Sequence, residues 1–174
     1  MGGLLFNWTG VVSALDENGY PLRDEKGRLV VQSDEGVPLS DHSELKVTTP
    51  VWEASFALSV DFRQTFLAQI ANLQAQSLWS DNLQTLWEPT QISEPSLIEP
   101  GKWRVTVVAN CIYIDRQSST RQIQKCNKEF YLQAIDTPPL PIPSQATEVQ
   151  IASYKARSAN LEIFLIKDLE EENP

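Results

Sequence analysis

Residues 110–127 read NCIYIDRQSSTRQIQKCN and hold both cysteines of the chain. Apolar β-branched residues precede a polar centre, and an alternating run follows it, which is the pattern of two strands joined by a tight turn. With Ser118-Ser119 at the tip, Cys111 stands opposite Cys126 and Ile114 opposite Ile123. The flanks extend the same ladder, KWRVTVVANCIYID over 102–115 against RQIQKCNKEFYLQAID over 121–136. In that register Val107 faces Phe130 and Thr106 faces Tyr131, and aromatic against β-branched residues are favoured cross-strand pairs. A long antiparallel hairpin is therefore the frame on which the other segments are placed.

Residues directly opposite in an antiparallel pair have α-carbons about 4.5–5.5 Å apart, which is within the reach of a disulfide. Closing the loop of about 14 residues between Cys111 and Cys126 would stabilise the fold by about 3 kcal/mol on the chain-entropy account. Such a bond persists in an oxidising compartment, whereas in a reducing one the same geometry holds two buried thiols. The residues leave both readings open. Metal binding has little support, because two cysteines and one histidine lack any Cys-x-x-Cys pair. No metal and no cofactor are expected.

Upstream, DFRQTFLAQIANLQAQSLW (61–79) places Phe62, Phe66, Ile70 and Leu73 at helical spacing. Asp61 is the candidate N-cap, with Gln64 as its reciprocal partner. Gln69, Asn72, Gln74 and Gln76 are assigned to the outer side. SDNLQTLW (80–87) reads as a second short helix closed by Pro89, and VWEASFALSV (51–60) as a strand. Residues 88–100 carry three Glu-Pro pairs and 137–146 include TPPLPIP; both read as stiff Pro-rich connections. Thr147 and Gln150 form a capping box for a helix over 147–159, with Asn160 as its left-handed C′ residue. LEIFLI (161–166) is apolar on both alternations, which places it inside the sheet, and 167–174 form a solvated tail.

The N-terminal LLFNWTGVVSA (4–14) reads as a strand with Gly10 as a bulge. Next come DENGYPL, DEKGRLV and SDEGVPL, each with an acid shortly before a glycine. Calcium loops need ligands on alternate residues and a terminal bidentate Glu, which these units do not supply. Tight turns at Asn18-Gly19 and Lys26-Gly27 are the simpler reading, and 13–39 becomes a hairpin arm projecting from the body. The expected fold is thus α+β within one domain, 1–174. A single antiparallel sheet of four to six strands carries one long and one shorter helix. Helix followed by long hairpin resembles, in architecture alone, the cystatin-like and NTF2-like cones.

The 174 residues carry a net charge of −9, with 41% hydrophobic residues. That field repels phosphate backbones and anionic bilayers, so nucleic-acid binding is not expected. No apolar run reaches the ~20 residues of a membrane span. No signal peptide is visible, and the abrupt MGGLLFNW start suits either a cytoplasmic protein or an extracytoplasmic one whose leader is removed.

No catalytic residue stands out. His42 lies in LSDHSE, a polar loop with no shell to fix its tautomer. Phosphate-binding glycine motifs and a nucleophile elbow are absent from the sequence. Trp79, Trp87 and Trp103 flank the Glu-Pro crossing and form a candidate binding surface. The leading expectation is a non-enzymatic acidic interaction or assembly module that uses the arm, the proline segments or the tryptophan cluster as contact surface, with an unknown protein partner, a homo-oligomer included. A small-ligand-binding α+β cone is the alternative, followed by a carboxylate-dependent hydrolase or lyase.

Overall fold

The computed structural model describes residues 5–39, 44–81, 83–115, 117–136, 151, 154 and 157–169. Short pairs come first: β1 (Val11–Ser13) with β2 (Val31–Ser33), and β3 (Val37–Pro38) with β4 (Lys46–Val47). Helix α1 (Thr49–Ala54) and a 3₁₀ turn (Ser55–Ala57) lead into the long helix α2 (Val60–Asp81). Six strands complete the body: β5 (Leu83–Ile92), β6 (Ser96–Glu99), β7 (Lys102–Asp115), β8 (Thr120–Lys125), β9 (Lys128–Ala134) and β10 (Leu161–Asp168). They form one antiparallel sheet, and the chain is α+β with an N-terminal hairpin arm, as the pattern of elements implies.

Strand β7 is the spine. Its 14 residues span about 47 Å, too long for any one neighbour to match. Strands β5 and β6 share one of its edges, and β8 and β9 share the other. Because side chains alternate, Val107, Ala109 and Cys111 point together into the core, while Ile112 is buried on the opposite face. Trp87 and Phe130, from β5 and β9, meet Phe6 on the core side, with ring centroids 5.3 and 6.4 Å from it.

The hairpin register differs from the expectation by two residues. Cys111 pairs with Gln124, Ile114 with Arg121, Val107 with Lys128 and Val105 with Phe130. Asp115 pairs with Thr120, and Gln117–Ser119 lie in the turn, which is wider than the two residues expected. Asp115 Oδ1 accepts the Gln117 N–H at 2.9 Å, and Ser119 takes the left-handed conformation at φ 55°. An even shift leaves every side chain on its expected face.

Residues 51–57 are helix and 3₁₀ turn, not strand, and of 51–60 only Leu58 makes a β-bridge. Pro50 sits at the start of α1, where its missing N–H costs nothing. Asp34 caps that end from a distance, its two carboxylate oxygens accepting Thr49 N–H at 2.7 Å and Thr49 Oγ1–H at 2.8 Å. Helix α2 starts at Val60, so Asp61 lies in its first turn rather than at the cap.

The second short helix over 80–87 is also corrected. Helix α2 runs on through Asp81, and Thr85 and Trp87 are buried on alternate positions of β5. The 88–100 crossing belongs to the sheet, as the end of β5 and β6. Prolines are tolerated there because an edge strand turns some N–H groups outward. Of the N-terminal run, only Val11–Ser13 is strand, while Leu5, Phe6 and Trp8 plug the core.

Helix α2 buries Phe66, Leu67, Ile70, Ala71, Gln74 and Leu78. The stripe continues by fours to Gln74 rather than to Leu73, which is 50% exposed. Gln74 is wholly buried and belongs to the core, not the outer side. Its Oε1 accepts Thr48 N–H at 3.0 Å, and its Nε2 donates to Thr48 Oγ1 at 3.3 Å.

Strand β10 joins the sheet but as its outermost member beyond β9. On its free side Leu58 makes a parallel bridge to Ile163, and Ser59 N–H donates to Ile163 O at 2.8 Å. Lys167 and Asp168, expected in the tail, end this strand. Ile151, Tyr154 and Arg157 are helical and Asn160 is left-handed at φ 58°. His42, the 137–146 connection, the Thr147–Gln150 capping box and residues 170–174 lie outside the described residues.

Candidate functional site

The arm is built by repetition with a period of eight. Asp16 Oδ1 accepts the N–H of Asn18 and Tyr20 at 2.9 and 3.0 Å. Asp24 Oδ1 accepts those of Lys26 and Arg28, both at 2.9 Å. Gly19 and Gly27 supply the positive φ that each turn requires, 81° and 77°. At the base, three backbone bonds close a ring: Ala14 N–H to Val30 O, Val30 N–H to Leu22 O, and Leu22 N–H to Ala14 O, at 2.9, 2.9 and 2.8 Å.

The tight turns stand where the sequence implies them, and Asp16 and Asp24 brace them with their carboxylates, a role the sequence reading did not give them. What it also missed is how the apolar residues are displayed. No side chain from 11 to 33 is buried. Tyr20 is 68% exposed and Leu15 61%, with Leu22, Leu29 and Val31 also exposed. The segment 11–35 carries six acids and three bases, Arg23, Lys26 and Arg28.

The tryptophans do not gather. Trp87 is a core residue whose Nε1–H donates to Cys126 O at 3.1 Å. Trp103, half-buried, pairs with Leu97 and Leu132. It sits eight residues along β7 from Cys111, the partner of Trp87, a separation of about 27 Å. Trp79 is half-buried beneath the Lys46 ammonium, which lies 4.2 Å from the ring centroid, and its indole N–H has no partner among the described residues. A surface shared by all three does not exist.

Cys111 and Cys126 form a disulfide with α-carbons 5.5 Å apart. They bridge diagonally: Cys126 N–H donates to Ala109 O at 2.9 Å, which sets it two places from the residue opposite Cys111. Both point to the helix side of the sheet. There, between α2 and the β7–β8 pair, lies a half-enclosed groove of about 410 Å³. Phe6, Phe66 and Ile70 supply apolar wall, the two cysteines line it, and Lys128 and Asp168 stand in its lining.

Lys128 has no signal in the sequence beyond its place in a strand. Its side chain is 11% exposed, and its ammonium lies 4.4 Å from the centroid of the Phe6 ring and 2.5 Å from Asp168 Oδ1. Asp168 is 80% exposed. The buried cation is therefore neutralised by a carboxylate that reaches in from solvent.

Among the described residues no helix is long and apolar enough to cross a membrane. No family model matches the chain, and comparisons with curated proteins and solved structures give no significant match.

Proposed function

We propose that the protein is an interaction module whose contact surface is the arm formed by residues 11–33. One observation carries this reading. Six of the twelve exposed large apolar side chains among the described residues lie between Val11 and Val31. A segment that buries none of its apolar residues gains little hydrophobic stabilisation of its own. Its conformation is instead fixed by the two Asp turns and the three-bond ring. Holding apolar residues in one conformation while leaving them wet lowers the ordering cost that a partner must meet on binding. The surplus of acids around them suits a partner whose apolar contact is rimmed by basic residues.

The test is site-specific photo-crosslinking at Tyr20, in extract from the native cell, with exposed Gln76 on α2 as the control position. The expected result is a discrete adduct at Tyr20 that is lost in the Leu15→Asp/Leu29→Asp variant while circular dichroism and thermal midpoint are unchanged. Adducts of equal yield at Gln76, or an adduct indifferent to the two aspartates, would reject the arm as the contact surface. Sedimentation of the same variant decides whether the partner is a second copy.

A further inference from the structure

We infer that the groove between α2 and the β7–β8 pair is a binding site for a small anionic amphiphile, an aliphatic chain ending in a carboxylate. This rests on a different part of the molecule from the arm and stands or falls separately.

Three features carry it. The groove volume of about 410 Å³ falls in the range of about 300–1,000 Å³ usual for small-molecule sites. Its inner wall is aromatic and aliphatic, from Phe6, Phe66 and Ile70, which suits a hydrocarbon chain. Lys128 then provides one fixed charge against that wall, with its stem buried and its ammonium held over Phe6.

The charge partner makes the site selective. A buried ammonium without a counter-ion is costly, and here the counter-ion is Asp168, an exposed side chain at the end of β10. An incoming carboxylate can make the same charge-assisted bond while Asp168 turns back to water. Asp168 is thus a competitor for the ligand head, and the protein alone has a closed ion pair where the complex has a ligand.

The experiment is a titration of the full chain with decanoate below its micelle concentration, followed by calorimetry and by tryptophan fluorescence, since Trp8 lines the groove. Decyltrimethylammonium and decanol serve as cationic and neutral comparisons. Saturable binding of decanoate is expected with a Kd of about 1 mM or below, and weaker binding of the other two. Asp168→Asn, a change at an exposed site, is expected to tighten decanoate binding. Lys128→Met is expected to weaken it by about tenfold or more, the scale of a hydrogen bond to a charged group. No saturable binding, equal binding of the cation, or decanoate affinity that is unmoved or weakened by Asp168→Asn would each overturn the assignment.

Discussion

Replacing Gln74 by Leu tests whether a polar side chain at the centre of the helix–sheet layer is structural. The two side chains are close in volume, so packing changes little. What is lost is specific. Thr48 is 2% exposed, and its N–H and Oγ1 both bond the Gln74 amide. Leucine leaves the Thr48 N–H buried with no acceptor, and desolvating such a group costs about 1–3 kcal/mol. Burying an apolar side chain in place of the amide returns part of this, so the net expected loss lies in the lower half of that range. In a domain of this size each kcal/mol moves the thermal midpoint by roughly 2–4 °C. Urea denaturation should show a lower midpoint at unchanged slope. Gln76→Leu, the same substitution at an exposed position two residues on, should stay within about 0.5 kcal/mol of the parent. If Gln74→Leu is as stable as the parent or more so, the amide is dispensable and the account of the buried pair is wrong.

Reducing the Cys111–Cys126 bond, or replacing both by alanine, should lower stability by about 3 kcal/mol on the loop-entropy account, read as a denaturant midpoint with and without reductant; an unchanged midpoint refutes it. Asp34→Ala removes the acceptor of Thr49 N–H and Thr49 Oγ1–H at the start of α1. It should cost about 1–2 kcal/mol and speed amide exchange first at Thr49 and Gly36, whereas a uniform change across the chain would speak against a local cap. Tyr131 donates to Glu129 Oε2 at 2.8 Å, and that bond, with a smaller contribution from burial, raises its pKa. A raised folded value means that its contribution is complete below the unfolded value of about 10 and is lost as pH rises through the folded one. Tyr131→Phe should therefore weaken the alkaline fall in stability, read as urea midpoints below and above about pH 10; a fall equal to the parent's contradicts this.

The hairpin was legible because six of the ten residues over 105–114 are β-branched, and no helix accommodates that density comfortably. Its register was not legible, because nothing in QSST says whether two or four residues turn. Asp115 decides it by accepting the Gln117 N–H, a local bond that competes with continued pairing. The pairing of faces survived because the error was even. In α2 the step of four was readable, but Gln74 falls on the buried stripe and reads as polar surface unless its distant partner Thr48 is known. Residues 51–60 failed for the same reason, since the α1 cap comes from Asp34, 15 residues upstream. The arm as a contact segment, and a pocket between helix and sheet as the alternative, were open to sequence reading, but the residues that form each were not. The first requires knowing that nothing covers Leu15, Tyr20 and Leu29, and the second brings Phe6, Phe66 and Lys128 together from three distant segments.

The polar bonds that sequence reading missed also explain how the arm can remain uncovered. Asp34 is buried at the arm's base, where its N–H donates to Gly10 O at 2.9 Å while its carboxylate holds Gly36 N–H and the start of α1. Just beyond, Thr48 is bonded to Gln74 of α2. The arm is therefore attached to the body through oriented hydrogen bonds rather than by burying its own leucines. An apolar anchor would have drawn Leu15, Leu22 and Leu29 inward and used up the surface proposed for contact. Directional bonds fix the position of the base without consuming apolar area, so a hydrogen-bonded backbone and exposed hydrophobic surface, which ordinarily oppose each other in a short segment, coexist from Val11 to Ser33.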